Sequence, residues 1–394
     1  MPGAWQSVRR RSPPAEAGRK ETQDELAGVG AHRCWIAGDK MNTHFTRREF
    51  LNCSMTVVTA AVLGQTRISP VFAKSKNEAG MLNKIVLSDP MALGNDGSQA
   101  MIFLRPPVST GKWIVHLHGG GLCYNYDSCQ IRQANDPALM TFNGLPSAYP
   151  VSGILSSDPA VNPWNNFGAL LIPYRTSDFF GGGGDSGDWK FRGRYVLLAA
   201  LNYIDQTYGP IQELILSGSS AGGVGVLASI DWVTAWVTSI VPAAKVKGLC
   251  DAGWLLDKMP FDPLFLSPRE QADLGAVYWH GNGAGVLYLS TNFTSLVNKN
   301  NVFVQIAQYD QSQLQALGVV NGSAEEIAYC AQFRLDVIAS LVQQGVTGYY
   351  CPKTNLHGLA LGTSWTTNYI NSLSLRDTML RWYLGLPGGK QVGT

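Results

Sequence analysis

The pentapeptide Gly218-Ser219-Ser220-Ala221-Gly222 constrains this chain more than any other segment, because of what stands on either side of it. The apolar run Leu214-Ile215-Leu216 before it reads as a buried strand, and the Ala/Val/Gly-rich stretch after it reads as a helix. A strand that passes into a helix through so few residues must turn sharply, and small residues at both ends of the turn let the two backbone segments approach. The middle side chain is then held out above the strand ends, which makes Ser220 a candidate nucleophile.

A serine that attacks a carbonyl creates negative charge on oxygen, and that charge needs a partner. Upstream, Trp113-Ile114-Val115-His116-Leu117-His118 runs into Gly119-Gly120-Gly121, the kind of glycine loop whose backbone N–H groups can face an oxyanion. Donors fixed beforehand stabilise a tetrahedral intermediate without reorganising, each contributing roughly 3 kcal/mol. The expected donors are Gly120, Gly121 and Ala221, the residue just after the serine.

A serine hydroxyl is also a poor nucleophile without a base, usually a histidine oriented by a carboxylate. Beyond residue 73 the histidines are His116, His118, His280 and His357. His116 and His118 are expected to shape the glycine loop, and His280 precedes the penultimate strand. His357 follows the last of the strands read here, where the chain order serine, acid, histidine places the base. Asp310, directly after the apolar strand Val302–Ala307, is the expected orienting carboxylate. Asp251 also stands at a strand end and competes for the role, although a structural turn aspartate fits it better. Asp336 falls in a helical pattern and is expected to be solvated.

Along the chain, Lys84–Leu87 and Ala100–Leu104 flank Asn95-Asp96-Gly97-Ser98, a hairpin signal suited to an antiparallel sheet edge. Strands follow at Trp113–Leu117, Ala169–Pro173, Leu214–Ser217, Ala244–Cys250, Asn301–Ala307 and Val346–Tyr350, with helices at Tyr195–Tyr203 and about Thr366–Leu384. This alternation predicts an α/β fold of the α/β-hydrolase kind, a mostly parallel sheet with helices on both faces, in a single domain over residues 74–394. The stretches Asp127–Asn166 and Gly181–Gly187 read as loops, the first covering the site. Leu227–Ala244 is apolar but interrupted by Asp231, and reads as a buried helix.

Residues 1–73 are expected to be dispensable. Thr46-Arg47-Arg48-Glu49-Phe50-Leu51 resembles the twin-arginine export signal of bacteria, the weakly apolar Met55–Gly64 follows, and Val71-Phe72-Ala73 is a small-residue cleavage site. The expected start is Met41, with cleavage after Ala73 and delivery by the twin-arginine machinery to the periplasm or beyond. The apolar run is too short for a membrane anchor, which needs about 18 such residues. A formal net charge of +2 without blocks of like charge argues against nucleic acid and anionic membranes as partners.

The exported part keeps Cys123, Cys129, Cys250, Cys330 and Cys351, among which an oxidising compartment permits disulfides. A Cys123–Cys129 bridge would brace the glycine loop, Cys330 with Cys351 is a further possibility, and Cys250 is then left over and buried. Zinc is the weaker reading, since no C-x-x-C or H-x-x-x-H spacing occurs. No metal or cofactor is expected.

Taken together, Gly119-Gly120-Gly121-Leu122-Cys123 with Cys129, and Ser217-Gly218-Ser219-Ser220-Ala221-Gly222-Gly223, resemble the corresponding motifs of the pectin acetylesterase and Notum family of carboxylesterases. Shorter matches include Asn162-Pro163, Pro173-Tyr174 with Ser177-Asp178, Phe191-Arg192-Gly193, Gly253-Trp254 and Tyr278-Trp279. The resemblance implies Ser220, Asp310 and His357 as a triad, Gly120, Gly121 and Ala221 as oxyanion donors, and hydrolysis of O-acyl esters. O-acetyl groups on a polysaccharide such as pectin are the foremost substrate it implies, beside a lipid acyl group on a signalling protein. A catalytically silent secreted carbohydrate-binding relative and a serine peptidase or lipase are the alternatives. His118 stands where the family usually has Glu, Leu122 where it has Trp, and Arg175 where it often has Cys. These departures bear on substrate more than on chemistry.

Overall fold

The computed structural model describes residues 80–279, 289–320 and 322–394. The expected leader over residues 1–73, with its start at Met41 and cleavage at Ala73, and also His280, lie outside the described residues. In chain order the strands are β1 (Met81–Val86), β2 (Met101–Arg105), β3 (Lys112–Leu117), β4 (Ala148–Pro150), β5 (Gly168–Ile172), β6 (Gly184–Ser186) and β7 (Trp189–Phe191). There follow β8 (Glu213–Ser219), β9 (Lys245–Asp251), β10 (Val302–Gln305), β11 (Gly348–Cys351), β12 (Tyr369–Ile370), β13 (Leu373–Ser374) and β14 (Lys390–Val392).

Ten of these form one sheet in the order β14-β11-β10-β9-β8-β3-β5-β2-β1-β4. Pairing is parallel from β14 through β5 and antiparallel through β2, β1 and β4. Parallel strands must be covered on both faces, so their sequences run apolar with alternating destinations. Val115, Leu170, Leu216 and Val304 face one layer, where they meet Leu197, Val226 and Val337 of the helices Gly193–Tyr208, Ala221–Ile240 and Ala324–Gln343. Ile114, Leu171, Ile215 and Phe303 face the other, against Trp365 and against Leu375 and Met379 of the helix Leu375–Tyr383. The chain thus folds as the α/β-hydrolase type that the alternation predicts.

Several local expectations need correction. The stretch Asp127–Asn166 is not a plain loop: it carries the helix Tyr126–Asn135, started by a reciprocal cap between Asn125 and Ser128, and the edge strand β4. Only its first part reaches the site, while Ile154, Leu155 and Trp164 pack on the opposite face of the sheet. Gly181–Gly187 includes β6, paired with β7. The helix expected over Thr366–Leu384 is broken by the hairpin β12–β13, whose turn residues Asn371 and Ser372 hold φ of 49° and 65°. Helix resumes at Leu375, capped by Ser374, whose hydroxyl accepts from the Asp377 N–H.

By length and composition one helix among the described residues, Ala221–Ile240, could cross a membrane. Half of it is buried inside the fold, and Asp231 on its outer side accepts hydrogen bonds from the N–H groups of Val297 and Asn298 at 3.0 and 2.8 Å. It is the core helix that the sequence reading anticipated from Leu227 onward.

Candidate active site

The register of the central strands assembles the site. Leu117 at the end of β3 lies opposite Gly218, and Ser219 opposite Asp251 at the end of β9, so the carboxyl ends of three neighbouring parallel strands converge. In open α/β sheets this edge is where ligands bind.

Ser220 sits between β8 and the helix Ala221–Ile240 with φ 56° and ψ −122°, a strained left-handed conformation for a residue other than glycine. Its neighbours have no room for side chains. A Cβ on Gly218 would stand 2.1 Å from the Gly222 carbonyl oxygen, and one on Gly222 would stand 1.9 Å from that of Leu117. The glycine spacing is therefore a steric requirement of the turn. Ser220 N–H donates to the Asp251 carbonyl at 2.8 Å, which fixes the turn against β9.

His357 follows β11 and donates from Nδ1 to both carboxylate oxygens of Asp310, at 3.0 and 2.8 Å. Asp310 is fully buried and also caps the helix Gln311–Ala316 by accepting the Gln313 N–H at 3.0 Å. With the proton on Nδ1, Nε2 keeps its lone pair, and this atom is buried without a hydrogen-bond partner among the described residues. Burial by itself lowers the imidazole pKa. The charge and hydrogen bond of Asp310, together with the charge of Asp251, outweigh it and hold the pKa above the ordinary value.

Asp251 does a different job from Asp310. Its carboxylate accepts the Ser219 hydroxyl at 2.5 Å and the N–H groups of Leu359 and Ala360 at 2.9 and 3.1 Å. The carboxylate joins the residue before Ser220 to the segment after His357, and neither the Ser220 hydroxyl nor the His357 ring is among its hydrogen-bond partners in the described residues.

Ser220, His357, Gly120, Gly121 and Ala221 line one cavity of about 240 Å³, with Asp310 behind His357. Its wall is mostly apolar, built from Leu122, Leu139, Phe179, Val224, Leu255 and Leu317 among others. The N–H groups of Gly120 and Gly121 donate to no backbone carbonyl among the described residues. That of Ala221 opens a helix, where no intrahelical carbonyl is in reach. Gly120 and Gly121 hold φ of 154° and 70°. His116 and His118 do not line the cavity; burial, with the neighbouring charge of the other histidine and of Arg175 respectively, pushes their pKa values down to about 3 and about 4. His116 Nδ1 instead lies 2.9 Å from Ser217 Oγ.

Cys123 and Cys129 form a disulfide with a Cα–Cα distance of 5.0 Å. Among the described residues Cys250, Cys330 and Cys351 are free thiols, so the possible Cys330–Cys351 bridge is absent. Among the described residues no cluster of His, Cys, Asp or Glu could hold a metal ion. Arg132, which also lines the cavity, was invisible to motif reasoning because it lies in the stretch read as a loop.

A serine at a sharp strand-to-helix turn and an Asp-paired histidine beside one cavity, at the edge of a mostly parallel sheet, are the arrangement of an α/β-hydrolase. A pectinacetylesterase family model matches residues 75–263. The chain is 35% identical over 333 residues to the palmitoleoyl-protein carboxylesterase NOTUM of Drosophila melanogaster, covering 78% of this chain and 49% of that protein. Against the human palmitoleoyl-protein carboxylesterase NOTUM it is 32% identical over 224 residues, covering 54% of this chain and 45% of that one. The solved Wnt deacylase Notum from Drosophila superposes with a TM-score of 0.73 at 28% identity, over 79% of this chain and 96% of that one. The chain spans about half the length of the curated relatives it matches. These matches support the pectin acetylesterase and Notum family for this chain.

Proposed function

We propose that this protein is a serine carboxylesterase that hydrolyses O-acyl esters through an acyl-enzyme intermediate. The observation that carries the reading is the shared cavity of Ser220 and His357, with an unpartnered Nε2 on the imidazole and Asp310 on its far nitrogen. His357 takes the proton of Ser220 as the oxygen attacks the ester carbonyl. The N–H groups of Gly120, Gly121 and Ala221 hold the oxyanion, the alcohol leaves with the proton from His357, and water repeats the sequence to release the acid.

The cavity favours an apolar acyl group longer than acetyl. An acetyl group, comparable to two or three waters at ~30 Å³ each, leaves much of about 240 Å³ unfilled. Each further methylene buried against the aliphatic wall contributes about 0.8 kcal/mol, or about fourfold in kcat/KM. The named activity of the palmitoleoyl-protein carboxylesterases points the same way. The second reading is removal of O-acetyl groups from a polysaccharide such as pectin, favoured by the pectinacetylesterase match.

A series of p-nitrophenyl esters from acetate to decanoate, run on wild type and Ser220→Ala, tests both. The proposal expects Ser220-dependent turnover that rises with chain length and then falls once the cavity is full. A monotonic fall from acetate, with acetate release from acetylated pectin, would favour the second reading. The Cys123–Cys129 disulfide suits an exported protein, and we infer that residues 1–73 serve export.

A further inference from the structure

Beneath the glycine loop the fold buries an arginine that the triad does not explain. Arg132 is 3% exposed and lies in the helix Tyr126–Asn135, where it and Cys129 are the buried residues. The Cys123–Cys129 disulfide ties that helix to a residue two places beyond Gly121, so the guanidinium is delivered to the loop by a short covalent path. A Cβ on Gly120 would lie 3.6 Å from Nη2 of Arg132, and one on Gly121 would lie 3.5 Å from Nη1. Among the described residues Nε and Nη2 are buried without hydrogen-bond partners, and Arg132 lines the cavity shared by Ser220 and His357. A guanidinium stays charged at any working pH, and burying it with idle donors is costly. A place where negative charge develops during reaction is one where that cost is offset.

We propose that Arg132 is a positioning residue of the oxyanion loop. Its guanidinium packs against Gly120 and Gly121, keeps their N–H groups turned into the cavity, and adds a fixed positive charge that favours the tetrahedral oxyanion over the ground-state ester. The inference rests on the serine esterase reading given above. It assigns the Cys123–Cys129 bridge a purpose beyond general stability, which is to hold this helix and its cation in place.

The test compares wild type with Arg132→Lys, Arg132→Gln and Arg132→Met on p-nitrophenyl butyrate, with butylboronic acid as a probe that adds to the serine hydroxyl as a tetrahedral anion. Thermal melting checks that each variant folds. Arg132→Gln and Arg132→Met are expected to lower kcat about tenfold or more, short of the 10²–10³ lost with a direct oxyanion donor. KM should stay within about twofold, as for an interaction made in the transition state. Boronic acid affinity should fall in parallel with kcat, and Arg132→Lys should recover most of both. Unchanged kcat and boronate affinity in folded Arg132→Gln would overturn the proposal, as would a lysine variant no better than the glutamine one. If Arg132→Met does not fold, the lysine and glutamine pair decides. A wild type with neither Ser220-dependent turnover nor boronate affinity would bring down the esterase reading first, before any variant is compared.

Discussion

The carboxylate of Asp251 accepts the Ser219 hydroxyl at 2.5 Å, one residue before the serine at the turn, while its two oxygens also hold the N–H groups of Leu359 and Ala360 just after His357. One buried side chain therefore sets the spacing between the two segments whose side chains must meet. Asp251→Ala leaves three polar groups without partners, each costing about 1–3 kcal/mol when buried. The unfolding free energy from urea titration is expected to fall by about 3 kcal/mol or more. A loss under about 1 kcal/mol would mean that the clamp is dispensable.

The pH dependence separates the two aspartates further. In the proposed mechanism His357 accepts a proton and must be neutral to do so, so kcat/KM should fall as pH drops through its pKa. Burial lowers that pKa, but the charges of Asp310 and Asp251 raise it above 6.5, and the acid limb of the wild-type profile is expected above that value. Removing the Asp251 charge in Asp251→Asn should move the limb to lower pH. A wild-type midpoint below 6.5, or an upward move in the variant, contradicts the electrostatic account.

Asp310→Asn tests which carboxylate orients the imidazole. Both Asp310 oxygens face Nδ1, and an amide nitrogen there disfavours the tautomer that leaves Nε2 free. Turnover is expected to drop about 10⁴-fold with little change in KM. Near-normal turnover would transfer the role to Asp251.

Cys123 and Cys129 are six residues apart, so their bond closes a short loop and contributes about 2 kcal/mol by chain entropy. Melting under reducing conditions, or of Cys129→Ser, should show a correspondingly lower Tm. An unchanged Tm would indicate that the bond constrains nothing in the unfolded chain.

Much of this was legible in the sequence, for identifiable reasons. Gly218 and Gly222 announce the turn because no other residue fits between carbonyl oxygens at about 2 Å from a Cβ. The central strands declare themselves because burial on two faces demands continuous apolar runs, and Asp310 and His357 stand where such runs end. The stretch from Asp127 to Asn166 misled because its polar helix has little apolar periodicity, although the Asn125 and Ser128 cap was written there. The break in the last helix was likewise marked by Asn371-Ser372 and by Ser374 with Asp377. Arg132 and the apolar cavity wall come from segments far apart in the chain, and no local pattern signals that they meet.

The most direct measurement is the hydrolysis of p-nitrophenyl butyrate by wild type and Ser220→Ala at equal concentration, with matching melting curves. The account predicts Ser220-dependent turnover in the wild type and a loss of about 10⁴–10⁶-fold in the variant. Equal rates in the two proteins would contradict it.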